Sequence, residues 1–476
     1  METVCQQMLF DFQELGKRKV VAEFNGGTIS TDSGALLLRE VERGRDILKQ
    51  FSNCFIDYRD QDEIEHTLKE LISQRVYEIA LGYEDLNDHD KLRANPLLAV
   101  LCGKTDPSGQ DRRCERDKGK ALAGKSTLNR LELTPPDATE KSRYKKIVYQ
   151  EENIKSFFID TFLDSHKEKP KQIILDLDAT DDPLHGKQEG RFFHGYYGCY
   201  CYLPLYIFCG KHLLCTKLRP SDIDASEGSK EEVERIVKHI RKEWPEVKVI
   251  LRADSGFARE DLMRWCETNS VDYIFGLAKN ARLKKIIENE LKEAREGYEQ
   301  TKNAFRVYKD FTYRTLDSWS KERRVIGKAE HLTKGANPRF VVTSLKEDKI
   351  DARSLYENEY CARGEMENRI KEQQLYLFAD KTSSETMRAN QLRLWFSSVA
   401  YVLLNELRRV GLRSTEFAKA QCHTIRNKLL KIGGQIRISV RRISFSLANG
   451  YPYQKIFYQA YVNLRKAYQL SCYAEG

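Results

Sequence analysis

No apolar run in the 476-residue sequence is long enough to cross a membrane. The longest, "YCYLPLYIFC" at 200–209, is about half a span and contains Pro204. The opening stretch, "METVCQQMLFDFQELGKRK", lacks the basic-then-apolar layout of a secretory leader, which predicts a cytoplasmic protein with no membrane partner. Twelve cysteines occur, none of them in a C-x-x-C pair. The closest, Cys199 and Cys201, are neighbours on an expected strand. Paired thiolates for a zinc site are therefore missing, and reduced thiols are the expectation. Internal repeats and low-complexity tracts are also absent.

What is present is a chain 41% hydrophobic and 32% charged, the mixture of a folded globular protein with room for two to four domains. The formal charge of +9 is unevenly placed. From Tyr401 to Gly476 thirteen Lys and Arg face only Glu406, Glu416 and Glu475, so the other 400 residues are about neutral. This basic stretch is rich in Tyr and Leu and has apolar residues to fold with. It reads either as a surface for a phosphate backbone or as a solvated basic helical face.

Helical spacing runs from Glu63 to Leu81, with Gly82 as the stop, and again through "LLAVLCG". "ALAGKSTLNRLE" (121–132) has the layout of a helix-turn-helix, although an ordinary helical hairpin fits the pattern better; Lys125 and Arg130 are its candidate DNA contacts. Beyond 171 come three strands ("KQIILDLD", "GYYGCYCYLPLYIFCG", "HLLCTKLRP"). An amphipathic helix at 230–244 comes next, with a capping box from Ser229 to Glu232, and then "EVKVILRAD", a short helix and "DYIFGLA". This order predicts a mixed sheet, antiparallel first and parallel after. Residues 303–345 are rich in strand formers and read as a β-rich insertion separating that sheet from the helical pattern at 363–378 and 388–409.

Chemistry concentrates in "IILDLDATDDPLHG" (173–186), where Asp176 and Asp178 interrupt an apolar strand and Asp181 and Asp182 lie just beyond. Buried carboxylates this dense require compensation, and a divalent cation is the first candidate. A second strand, "VKVILRADSGF", ends in Asp254. Strand ends are where ligands gather in open α/β sheets, but an Asp there is also an ordinary turn or cap residue. In "YCARGEMENRIKEQQ", Arg363, Glu367 and Lys371 form one helical stripe, while Met366 and Ile370 face inward with Leu377 further on. Alone, that stripe reads as a surface ion-pair ladder. With the two aspartates it completes a three-carboxylate cage suited to Mg²⁺, with Mn²⁺ as the substitute.

With these residues in place, the sequence resembles the DDE transposases of bacterial insertion sequences, the cut-and-paste group whose ribonuclease H-like domain is interrupted by a β-strand insertion. Three motifs carry the likeness: "DAT" at Asp178, "ADSGF" at Asp254, and Y-x-x-R-x-x-x-E at Tyr360, Arg363 and Glu367. Asp254 and Glu367 stand 113 positions apart, which leaves room for the insertion. The stretches "QRVYEIALGYEDLNDHDKLR" and "SWSKERRVIGKAE" also resemble one branch of the group, so the likeness spans about 20 to 465.

The resemblance implies an α/β fold, a ribonuclease H-like mixed sheet with an inserted β-rich subdomain and mainly helical flanks. The expected divisions are 1–165 for DNA-end binding and oligomerisation, 166–280 and 351–412 for the two parts of the core, 281–350 for the insertion, and 413–476 for a basic helical region. It further implies strand cleavage at transposon ends and strand transfer by two metal ions held by Asp178, Asp254 and Glu367, with Asp176 behind Asp178. Arg363 would hold a phosphate, Tyr360 would pack beside it, and Trp319 would stabilise a flipped base. A homodimer on DNA, in a bacterial cytoplasm and associated with the nucleoid, is expected. The family places a lysine seven residues after the glutamate, where this chain has Gln374; Lys371 is the candidate replacement. The competing readings are a ribonuclease H-like nuclease, a domesticated DNA-binding protein, and a phosphohydrolase of small substrates.

Overall fold

The computed structural model describes residues 9–469. Its centre is a nine-stranded mixed sheet. The main strands, in chain order, are β1 (Gln172–Ala179), β2 (Leu205–Cys209), β3 (His212–Lys217), β4 (Lys248–Ala253), β5 (Asp272–Leu277), β6 (Phe305–Tyr313), β7 (Arg323–Leu332) and β8 (Arg339–Thr343). They lie in the order β3-β2-β1-β4-β5-β8-β7-β6, and the short strand Gly335–Ala336 pairs with β7. β1, β2 and β3 are antiparallel, whereas β4 and β5 run parallel to β1. Helices Ser229–Glu243 and Glu260–Thr268 make the crossovers. The antiparallel-then-parallel pattern expected from the sequence is present.

The insertion differs from expectation. It does not separate the sheet from the later helices: β8 pairs antiparallel with β5, and β7 and β6 continue beyond it in the same sheet. The edge of β5 would otherwise expose a row of unpaired backbone groups, and the strand formers of 303–345 satisfy it.

Side-chain alternation divides the sheet. Leu175, Leu177, Val249, Leu251 and Ala253 face a core shared with Phe162, Val233, Ile236, Ile240 and Leu262. Ile250, Ile274, Ile326 and Val341 face the other way, under Leu355 and Tyr356. Asp176, Asp178 and Arg252 share that second face by the two-residue period. It is covered by a continuous helical segment whose winding changes repeatedly. Leu355–Tyr360 and Glu372–Tyr376 are π-helical, Cys361–Arg363 is a 3₁₀ turn and Gly364–Lys371 is α-helical.

The helix expected from Glu63 starts at Leu68, because Thr67 and Glu70 form a reciprocal capping box there; it ends at Gly82, whose φ is +99°. The box expected at Ser229 is not formed. Gly228 is the cap, and Glu232 turns to Lys217 and Arg235 instead. Nor does a helix-turn-helix occur at 121–132. Lys125–Glu132 is a helix, but the preceding one, Pro96–Cys102, is separated from it by irregular chain with one 3₁₀ turn.

The C-terminal region mixes helices with the hairpin Gly434–Ile438/Ile443–Leu447, which pairs with Ile29–Ser30. Leu38, Phe51, Leu71 and Val76 share one core with Phe396, Leu403, Leu429 and Leu464, so the two terminal regions fold together. No described helix is long and apolar enough to cross a membrane.

Candidate active site

The four acidic residues of 176–182 sit in four different surroundings. Asp176 lies opposite Arg252 in the register of the parallel β1–β4 pair. The guanidinium meets it through Nε at 2.5 Å and Nη2 at 2.9 Å, and its Nη1 donates to the Glu359 carbonyl at 2.5 Å. Burial raises the proton affinity of Asp176, and the Arg252 pair opposes that. Asp182 is buried against the Thr382 hydroxyl at 3.1 Å, and burial lifts its pKa to about 8. Asp181 presents its carbonyl to the Gln374 amide at 2.9 Å.

Asp178 is the different one. One oxygen accepts from the Ala179 N–H at 2.9 Å, and the other meets Arg363 Nη1 at 3.2 Å. Burial pushes its pKa to about 6, with Asp254 and Glu367 adding to the rise and Arg363 opposing it. The same Arg363 reaches Glu367 Oε1 through Nη2 at 3.2 Å, across one turn of the helix. Glu367 is 49% exposed. Asp254 caps the turn after β4, accepting from the Gly256 N–H at 2.8 Å. Asp178 and Glu367 thus share one guanidinium, and the charge of Asp254 acts on it as well.

Tyr360 stands beside them. A Cβ built on Gly276 would come within 2.5 Å of its Oη and 3.2 Å of the Asp254 carbonyl carbon, so only glycine allows the phenol to sit there. Burial raises the Tyr360 pKa, and the charge of Asp254 contributes to the rise. Lys371 is exposed and makes no ion pair among the described residues.

The remaining candidates lie elsewhere. Trp319 is 3% exposed, edge-on to Tyr313 and under the Arg323 guanidinium, which makes it a core indole and no platform for a base. Lys125 bonds Asn87 and pairs with Asp90; Arg130 stacks over Tyr144.

Sequence reasoning missed two neighbours. Arg252, a lone cation in the apolar "VILRA", is the counterpart of Asp176 in "QIILDLDA", and matched charges on two core strands were the available signal. Tyr197 is the other: burial raises its pKa to about 12, and Asp181, Asp178 and Asp254 all contribute.

Among the described residues no group of three His, Cys, Asp or Glu side chains is set to hold a metal ion as it stands. The profile of the family described as Transposase DDE domain group 1 matches residues 12–469. A solved piggyBac transposase synaptic complex with hairpin DNA aligns with 94% of this chain and 83% of its own, at 12% identity and a TM-score of 0.39. No curated protein matches the chain. With its motif residues gathered at one end of β1 and β4, the chain belongs to the DDE domain group 1 transposases and is a DNA-cleaving transposase.

Proposed function

We propose that this transposase cuts a strand at each transposon end and joins the freed 3′-hydroxyl to target DNA, using Asp178, Asp254 and Glu367 as ligands of two divalent cations. The donor set is all carboxylate oxygen, which suits Mg²⁺, with Mn²⁺ in its place. Bound cations would neutralise the scissile phosphate and lower the pKa of an attacking water or hydroxyl.

The observation that carries this reading is the Arg363 fork between Asp178 and Glu367 at 3.2 Å to each, with Asp254 adding its charge to the same cluster. Two acids share a single cation and the charge of Asp254 adds to theirs, so the cluster keeps an unneutralised negative charge. Both contacts are long for charge-assisted bonds, so the guanidinium is free to turn to a phosphate, which it can grip bidentately. Tyr360, wedged against Gly276, fixes the phenol beside that phosphate. Arg252 joins β1, β4 and the Glu359 carbonyl, and so sets the distance between the strand ends and the helix that carries Glu367. Two DNA ends must be joined in concert, which calls for a homodimer on DNA.

The test is Glu367→Gln in the full chain. DNA binding should persist while cleavage of transposon ends disappears; unchanged cleavage would remove Glu367 from the site.

A further inference from the structure

Between β1 and β2 the chain leaves the main sheet and returns to it at the position of Asp178. The Thr180 N–H and Pro204 carbonyl close this excursion at 3.4 Å, one residue beyond the Ala179–Leu205 pair. Inside it, Asp182–Pro183, Phe192–His194 and Cys199–Tyr202 form a small three-stranded sheet.

The excursion is firmly held. The Tyr202 hydroxyl donates to the Glu189 carbonyl at 2.6 Å, the Ser221 hydroxyl to the Phe192 carbonyl at 2.9 Å, and the Glu189 N–H to the Glu385 carbonyl at 2.8 Å. Yet it holds large rings in water among its polar side chains: Phe193 is 58% and Tyr196 88% exposed, and Phe192 and Tyr200 are exposed beside them. Arg191 lies over the Tyr200 ring at 4.0 Å, and Lys187 is exposed on the same excursion.

We propose that this flap is a stacking platform for unpaired nucleotides of the DNA strand whose phosphate enters the carboxylate site. The inference rests on the reading of Asp178 and its neighbours as the cleavage site. Holding four rings in water is unfavourable for a folded protein unless something covers them. Flat rings interleaved with Arg and Lys match bases on a phosphate backbone, because every base offers a π-face whatever the sequence. The position selects the occupant. The flap starts four residues after Asp178, and its two ends meet at the Ala179–Leu205 pair, next to the Asp178–Tyr206 pair. A strand seated with a phosphate at Asp178 would therefore lie beside the root of the flap, and bases are available for stacking only where the duplex is open.

The experiment uses the full chain in EDTA, with anisotropy of fluorescein-labelled oligo(dT) and of the matching oligo(dA)·oligo(dT) duplex. Phe193→Ala and Tyr196→Ala should each weaken oligo(dT) binding by about fivefold or more, the range of base–aromatic stacking, and leave the duplex affinity unchanged. Tyr196→Phe should bind as the parent does. Both replaced rings are exposed, and an unchanged melting temperature would confirm folding. The proposal is overturned if the double variant binds oligo(dT) like the parent, or if single strand and duplex weaken equally. It is likewise overturned if the double variant only shifts self-association in sedimentation, which would make the flap a protein interface. Because binding is read without metal and without cleavage, loss of the carboxylate mechanism would leave this result standing, and the reverse.

Discussion

Asp176 and Asp178 stand two residues apart on one strand and one face, and each meets an arginine, but the two pairs are built differently. Arg252 grips Asp176 with two nitrogens at 2.5 and 2.9 Å, and both partners are almost fully buried. Arg363 touches Asp178 with one nitrogen at 3.2 Å and shares itself with Glu367. The first pair is closed: its charges are matched, and neither partner is free for a ligand. The second is open, with more negative than positive charge and an arginine able to move. Proximity to the strand end therefore does not decide which aspartate does chemistry; the completeness of its neutralisation does.

The largest test of this contrast is catalytic. Asp178→Asn should reduce cleavage of transposon-end DNA by about a thousandfold or more, the loss of several kcal/mol of charge stabilisation at the phosphate. Asp176→Asn should keep cleavage, per folded molecule, within about tenfold, measured on the same substrate. Equal losses would erase the distinction between the two acids.

Stability should separate them in the opposite sense. Arg252→Met strands a buried carboxylate and should cost about 3–5 kcal/mol in urea unfolding, while Asp176→Leu combined with Arg252→Met should recover most of it. A loss below about 1 kcal/mol in the single variant would mean that the pair is solvated.

Asp178 should instead burden the fold. Its folded pKa of about 6 lies above the ordinary 3.8, chiefly through burial. A raised carboxyl pKa contributes stability that is complete below about pH 4 and is lost as pH rises through about 6. In EDTA above pH 7, Asp178→Asn should thus be more stable than the parent, on the order of 2 kcal/mol, and the gain should vanish near pH 4. A flat difference across that range would show that burial does not raise this carboxyl.

Much of the site is readable from local pattern. The strand-end aspartates, the Arg363–Glu367 stripe and the inward Met366 and Ile370 follow from two periods, 2 for strands and 3.6 for helices. Pairing at long range is what pattern does not supply. The register that sets Arg252 against Asp176 joins residues 76 positions apart, and nothing local tells a closed pair from an open one. The insertion is legible as strands, but its place in the main sheet depends on which edge of β5 is vacant. Trp319 reads as a base platform because exposure is a tertiary property; the Tyr313 and Arg323 that enclose it belong to neighbouring strands. The flap aromatics stand in plain sight in "RFFHGYYGCY", yet "GYYGCYCYLPLYIFCG" reads as one continuous strand until Pro204 is recognised as its break.

The smallest effect concerns the position where the family has lysine. Gln374 donates to the Asp181 carbonyl at 2.9 Å and so fastens the helical segment to the root of the flap. Lys371, one turn from Glu367 and without an ion pair among the described residues, is the side chain left to meet phosphate. The two roles separate by salt. Each phosphate contact contributes about 0.9 to the slope of log affinity against log salt on duplex DNA. Lys371→Ala should reduce that slope by about 1, with stability unmoved. Gln374→Ala should leave the slope alone and cost about 1 kcal/mol of stability through the lost hydrogen bond. Should Gln374→Ala be the variant that changes the slope, the phosphate contact lies where the family pattern places it, and the bond to Asp181 is released when DNA binds.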